Sequence, residues 1–568
     1  MTGGKHVRKS GVSIRASRWA RLVVVLMSLS LLAAACGGGD DDDDDGGGGS
    51  DPTTETASDP EDEGEPVDGG DLVYGIEAES DGLNPTTNRF AIAGVEMGLA
   101  VFDPLTAFDE AGVAQPYLAE SLTPNEDFSV WTIKLRAGIV FHDGTPLTSE
   151  AIKVHFEGIL ADPLTSLVPK QIFGSANPVT IVDDLTATVT MAGSVATFPA
   201  WLTAQFGMIA SPTWIAAAKE DAALNQEPVG TGPFTIDSRQ LNTQTKFVKN
   251  PDYWQEGLPH LDSVTFIIAT DGQARNQNMQ AGDLDMMHTT DPEHLNEYIE
   301  DDGFDEYIDE LNEETFLMMN MTKPPFDDVR VRQALAYGLD RETVIELNDA
   351  GFGTIANGLF HPDNLFYTEV DNFPQYDPAM AQSLIDEYCT DVPAECDGGK
   401  ITFEYKTTPS PDNDLFFQTV QELWSPLATI SKIPVEQAAF ITEAAVGNYE
   451  MVLYRQFGAL DPDYDGAFID QRSLGAISIN WPRLDNDEIQ ALLLQQREEG
   501  DFETRKEIWG EITTKINEIT PYIWINHTMW GIVVKPEVNG VVGFELPTGQ
   551  TSYGMNEGRH SLANIWIG

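Results

Sequence analysis

Apolar and polar positions alternate along this chain with periods that mark strands and helices in turn. Leu72-Val73-Tyr74-Gly75-Ile76 reads as a buried strand. Trp131, Ile133 and Leu135, set against Thr132, Lys134 and Arg136, give period two and predict a half-buried strand. Val179–Val182 and Leu185–Met191, split by Asp183-Asp184, predict a hairpin, and Val264–Ile268 another strand. Residues 212–225 read as helical, and Gly230-Thr231-Gly232-Pro233-Phe234 as a turn. Helical spacing is richer in the second half. Val331, Ala334, Leu335 and Leu339 fall on one face behind Asp328. Asp377-Pro378 offers an N-cap acceptor followed by proline at the first helical position. Ile508, Ile512 and Ile516 form an i, i+4, i+8 stripe suited to core packing. Strands and helices alternate throughout without an internal repeat, so the fold class is α/β.

The longest apolar run, Leu22–Ala35, is broken only by Ser28 and Ser30. The residues before it hold Lys5, Arg8, Lys9, Arg15, Arg18 and Arg21 and no acid. A basic segment, a short apolar run and small residues predict a secretory signal over 1–35. Spanning hydrocarbon takes about 20 apolar residues, so the run is too short for a transmembrane helix. Leu31-Leu32-Ala33-Ala34-Ala35-Cys36-Gly37 resembles the bacterial lipobox, with Ala33 three before the cysteine and leucine one step further back. That resemblance implies lipidation of Cys36 and attachment to a membrane. Residues 36–70 continue as a Gly-, Pro- and acid-rich linker with Asp40–Asp45 in a row. Such a stretch has nothing to bury, and its like charges keep it solvated and extended rather than holding a metal.

The chain of 568 residues carries 92 Asp+Glu against 32 Lys+Arg, a net charge of −60. That charge repels nucleic acid and anionic headgroups. Roughly 500 residues follow the linker, enough for two or three domains. Besides Cys36 only Cys389 and Cys396 occur, flanking a Pro-containing turn with no histidine nearby. In an exported chain this reads as a local disulfide, contributing roughly 2.5 kcal/mol through its short loop.

Motifs in a fixed order carry a more specific reading. Pro116–Ser121 is followed by Trp131–Thr148, with His142-Asp143-Gly144-Thr145-Pro146 inside it. Gly230–Phe234, Asn250-Pro251-Asp252-Tyr253-Trp254 and Ala281-Gly282-Asp283-Leu284-Asp285 come next. Met319–Ala334, Tyr376-Asp377-Pro378 and Asp461-Pro462-Asp463 complete the series. From about Leu72 onward the chain resembles the extracytoplasmic solute-binding proteins of ABC transporters, family 5, the oligopeptide/dipeptide/nickel type. The resemblance implies a periplasmic-binding-protein-like two-lobe fold with an extra N-terminal subdomain, closing over its ligand. It assigns 71–112, 226–312 and 531–568 to lobe I, 113–225 to the extra subdomain and 313–530 to lobe II. Crossings between lobes are expected near Phe316–Thr322 and Met529–Val534. The implied partners are a peptide or other small-molecule ligand and the permease and ATPase subunits of a transporter. The protein is expected to act as a monomer without cofactor or bound metal.

An enzyme is the rival class. No His-Glu-x-x-His, no phosphate-cradling Gly-Lys-Ser/Thr and no Gly-x-Ser-x-Gly occurs, and the nine histidines are scattered. A second rival is a structural or adhesive surface protein, and a binding protein that feeds a sensor instead of a transporter would look the same in sequence. The family architecture serves peptides, nickel complexes, haem, opines and oligosaccharides, so fold does not choose the ligand.

The segment Tyr454–Asp463 resembles the family's pocket lining. Peptide-binding relatives place an aspartate three residues before the acidic-Pro pair, facing the ligand's α-ammonium, whereas Gly458 stands there in this chain. Recognition of a free peptide N-terminus therefore loses its expected partner. Candidate ligand contacts are Arg455, which could clamp a carboxylate, and Tyr454 and Phe457, which could stack on a flat solute. Asp461, Trp424 and Trp481 are further candidates for the pocket wall. The alternative reading pairs Arg455 with nearby acids and leaves the aromatics in the core.

Overall fold

The computed structural model describes residues 64–299 and 303–568; the segments read as signal, Cys36 and the aspartate run lie outside the described residues. The strand Asp71–Ile76 is the centre of a seven-stranded sheet, parallel to both Ser263–Ile268 and Met286–Thr289. Leu72, Tyr74 and Ile76 are fully buried at alternate positions, as a pleated strand over a core demands. Trp530–Val534 and Asp305–Asp309 extend the sheet on one side, and Gln244–Lys249 and Phe234–Gln240 on the other. Helix Ile92–Val101 packs in the core with this sheet, eight of its ten residues buried.

A second sheet has six strands. Glu314–Met319 lies between Met451–Gln456 and Tyr522–His527, antiparallel to both, and Lys400–Thr407 continues the sheet beside Met451–Gln456. Helix Val329–Tyr337 starts where Asp328 accepts a hydrogen bond from Arg330 N, and buries Val331, Ala334 and Leu335. Asp377 caps Pro378–Asp391 through Ala379 N and Met380 N. Ile508, Ile512 and Ile516 are buried along helix Phe502–Ile519. Cys389 and Cys396 are disulfide-bonded. The third sheet has four strands, with the hairpin Val179–Asp183 and Thr186–Thr190 next to Val130–Leu135.

The chain passes between the two large sheets twice, at 310–313 and 528–529. The first crossing, expected near Phe316–Thr322, therefore lies earlier in the chain, and the second, expected near Met529–Val534, falls at the start of that segment. Glu314 is already in register with Gln456 and His527, so the strand of the second sheet begins before Phe316. Trp530 likewise already pairs with Asp309 in the first sheet. The two passes are tied together: Thr528 N donates to Glu313 O at 2.7 Å, and the hydroxyls of Thr315 and Thr528 lie 2.9 Å apart.

Candidate functional site

A cavity of about 310 Å³ lies where these parts meet. Lining side chains come from the loop and helix after the first strand (Pro85–Leu99) and from the four-stranded region (Ile159–Pro169, Ala200–Phe206). Others come from the loop after Met451–Gln456 and from the C-terminal segment Phe544–Ala563. The wall is mainly apolar with a few charged groups, the usual composition of a small-molecule site.

Those charged groups differ in how far they are committed. Asp103 accepts from Thr231 Oγ1, Tyr253 Oη and Trp254 Nε1, each at 2.9 Å. Burial raises its pKa to about 6 against the pull of those bonds. Asp461 takes both ends of the Arg505 guanidinium, at 2.6 and 2.9 Å. Asp465 accepts from Ala459 N at 2.7 Å, and burial pushes its pKa up to about 7. Glu557 pairs with Arg559 at 2.6 Å. Burial, opposed by Arg559 and reinforced by Glu313 and Asp465, raises its pKa to about 8. Arg89 lies over the Phe468 ring, 5.7 Å from its centre.

Of the candidates read from the sequence, only Asp461 reaches the cavity wall, and Arg505 occupies it. Arg455 is held beside the cavity, its Nη2 3.9 Å from Glu77 and its Nε 3.9 Å from Glu313. Its guanidinium also covers Trp530 at 5.1 Å. Trp530 in turn donates to Glu313 at 2.9 Å and stacks on His288 at 4.8 Å. Burial alone would raise the Glu77 pKa, but Arg455, His288 and Arg275 together hold it below its usual value. Arg455 thus joins the end of the first sheet's central strand to the second sheet, and a ligand carboxylate would have to displace two acids to reach it.

Three of the aromatic candidates, Phe457, Trp424 and Trp481, are core residues, and Tyr454 is half-buried at the edge of that core. Phe457 packs against Phe316, Tyr522 and Trp524 with ring centres 5.6 to 6.2 Å apart, and takes φ +76 at the turn out of its strand. Tyr454 meets Trp481 edge-on at 4.4 Å and stacks on Phe440 at 6.3 Å. Trp424 is completely buried, its Nε1 donating to Leu335 O at 2.9 Å. Trp481 is also buried, and its Nε1 has no partner among the described residues. Neither tryptophan lies in the cavity wall. Large aromatics are as well suited to a core as to a pocket, and sequence composition does not separate the two.

The groups that do line the cavity were missed: Arg89, Asp465, Phe468, Tyr553, Glu557 and Arg559. Asp465 stands two residues beyond the Asp-Pro-Asp motif, a signal that could have found it. Arg89 and Glu557 have no local signature, because the tertiary fold alone brings them to the site.

The loop at Gly458 is shaped by the C-terminal segment. A Cβ at 458 would lie 1.5 Å from Glu557 Oε1 and 2.1 Å from its Cδ. The space beside Gly458 is thus filled by a carboxylate from a distant part of the chain.

The chain belongs to the family of bacterial extracellular solute-binding proteins, family 5, which it matches over residues 113–473. It is similar to the glutathione-binding protein GsiB of Escherichia coli (strain K12), 28% identical over 286 residues, and to that of Shigella flexneri, 29% identical over 286 residues. Each match covers 50% of this chain and 55% of the relative, so the chain spans about half the length of the curated relatives it matches. Among solved structures, it resembles DppA from Helicobacter pylori in complex with the peptide STSA, with TM-score 0.76, 20% identity, and 88% and 98% of the two chains covered. AppA from Bacillus subtilis with a nonapeptide gives TM-score 0.75 at 21% identity, covering 89% and 100%. NikA from Brucella suis with Fe(III)-EDTA gives 0.70 at 19%, covering 85% and 100%. These likenesses establish the two-lobe periplasmic-binding-protein fold.

Proposed function

We propose that this protein is the solute-binding component of an ABC importer, closing over a peptide or related small solute and delivering it to a membrane permease and its ATPase. The observation that carries the reading is the cavity itself, walled by both large sheets' loops and by the four-stranded region. Residues 314–527 act as one lobe, and the first sheet, which takes up the chain again at Trp530, with the C-terminal segment as the other. The tied passes at 310–313 and 528–529 are the hinge. Closure buries the solute, so selectivity comes from contacts made only in the closed state.

Glutathione and peptides, named for the relatives and structural neighbours, share an ammonium group and a carboxylate. Glu557, which fills the space beside Gly458, and Asp465 supply acids on the cavity wall, where an ammonium could sit. The protein works at the extracytoplasmic face of the cell membrane, held there by lipid on Cys36, and as a monomer.

A thermal-shift screen of purified protein tests the reading. A true ligand at 100 times its dissociation constant adds about 2.7 kcal/mol of stability. A screen of peptides, oligosaccharides and metal complexes that stabilises nothing would count against solute binding.

A further inference from the structure

The cavity's lining charges are Arg89, Asp103, Asp461, Asp465, Glu557 and Arg559, and burial keeps the neighbouring His560 neutral with a pKa of about 4. Five of the six are engaged. Asp103 is bonded to Thr231, Tyr253 and Trp254, and Asp461 to Arg505. Asp465 is bonded to Ala459 N, and Glu557 to Arg559. The Arg89 side chain alone has no hydrogen bond or ion pair among the described residues.

That freedom is unusual in a chain with 92 acids to 32 basic residues. Arg89 is close enough to Asp465, Tyr464 and Tyr454 to favour their ionised forms, yet bonds to none of them. Its guanidinium instead lies over Phe468, which belongs to the opposite lobe. A cation held over a ring is attracted by the ring's face and does not need its N–H donors for that contact, so those of Arg89 remain available. Five donors in a planar fork match the two oxygens of a carboxylate. Arg455 is not an equivalent site, since Glu77 and Glu313 already flank it.

We propose that Arg89 receives a carboxylate of the bound solute, so that the substrate class is small solutes bearing a free carboxylate. The proposal rests on the solute-binding reading above and adds the residue that sets its selectivity. For a peptide, the carboxylate is the C-terminus. The ligand spans the two lobes there, because Arg89 lies on one and Phe468 on the other.

The test uses purified protein and four probes: a pool of tripeptides with free C-termini, the same pool C-terminally amidated, maltotriose, and nickel(II) alone. Wild-type protein is expected to be stabilised by the free-acid pool and to bind it about tenfold or more tightly than the amidated pool, from the loss of a charge-assisted bidentate pair. In Arg89→Gln the preference should fall to within about threefold, and Arg89→Lys should retain part of it as a point charge. Arg89 is exposed, so Arg89→Gln should unfold at the wild-type temperature without ligand. Equal binding of both pools to wild type, or an acid preference unchanged in Arg89→Gln, overturns the proposal and leaves solute binding standing. Binding of maltotriose or nickel(II) alone does the same. Failure of all four probes overturns both readings.

Discussion

Glu557 Oε1 occupies the position where a side chain on Gly458 would have to begin, 1.5 Å from the site of its Cβ. The arrangement is locked from both sides. Asn556 Nδ2 donates to Gly458 O at 3.0 Å, and Glu557 N donates to Asp309 Oδ2 at 2.8 Å. Glu557 holds φ +53, a conformation sparsely populated outside glycine and kept only when surroundings fix it. Glycine at 458 is thus what allows an acid from the C-terminal segment to reach the cavity.

If that acid meets the ligand's ammonium, Glu557→Gln should weaken an amine-bearing peptide by about 2–3 kcal/mol while leaving its N-acetylated form unchanged. Isothermal calorimetry on both ligands reads the difference. An equal loss on the two forms would assign Glu557 to the loop's structure alone.

Buried acids also set the pH dependence. Burial raises Glu96 and Glu557 to about 8 from 4.5, and Asp465 and Asp349 to about 7 from 3.8. A folded-state pKa above the unfolded one gives stability that is complete below the unfolded value and lost as pH rises through the folded one. Unliganded protein should therefore melt several degrees lower at about pH 8.5 than at about pH 5.5. Melting temperatures that rise across this window would contradict the buried, protonated acids. An ammonium ligand favours their ionised forms, so binding near pH 7 should release protons. Calorimetry in buffers of different ionisation enthalpy measures that release, and proton uptake would be the contrary sign.

The Asp-Pro-Asp motif fastens the four-stranded region to the second large sheet. Asp463 is completely buried and pairs with Arg497 at 2.9 Å. It also accepts from Thr197 Oγ1 at 2.5 Å, from Trp201 Nε1 at 3.0 Å and from Gln496 Nε2. Asp463→Asn leaves Arg497 buried without its counter-charge and should destabilise the protein by about 3–5 kcal/mol. Chemical denaturation of the single variant and of Asp463→Asn/Arg497→Met checks it. A double variant less stable than the single one would show that the unpaired charge is not the cause.

These particulars show what a sequence makes legible. Period-two strands such as Val130–Leu135 and capped helices such as Pro378–Asp391 follow from local pattern, because side-chain direction and terminal hydrogen bonds are local properties. Helix Ile92–Val101 escaped because it is apolar on every face and shows no stripe. Asp461 was visible as a motif residue, but its engagement by Arg505 lies 44 residues away in sequence. Arg89, Asp465 and Glu557 come from three separated segments, and only tertiary packing makes them one site.

Attachment through Cys36 has its own test. Cys36→Ala should release the protein into the medium or leave an unprocessed precursor. A correctly processed Cys36→Ala protein that still fractionates with membranes would refute the anchor.

The most direct test of the whole account is a crystal structure of the protein grown with the free-acid tripeptide pool. The account predicts electron density for a solute inside the cavity, its carboxylate on Arg89 and its amine towards Glu557 and Asp465. Solute density elsewhere on the protein, with the cavity holding only water, would contradict it.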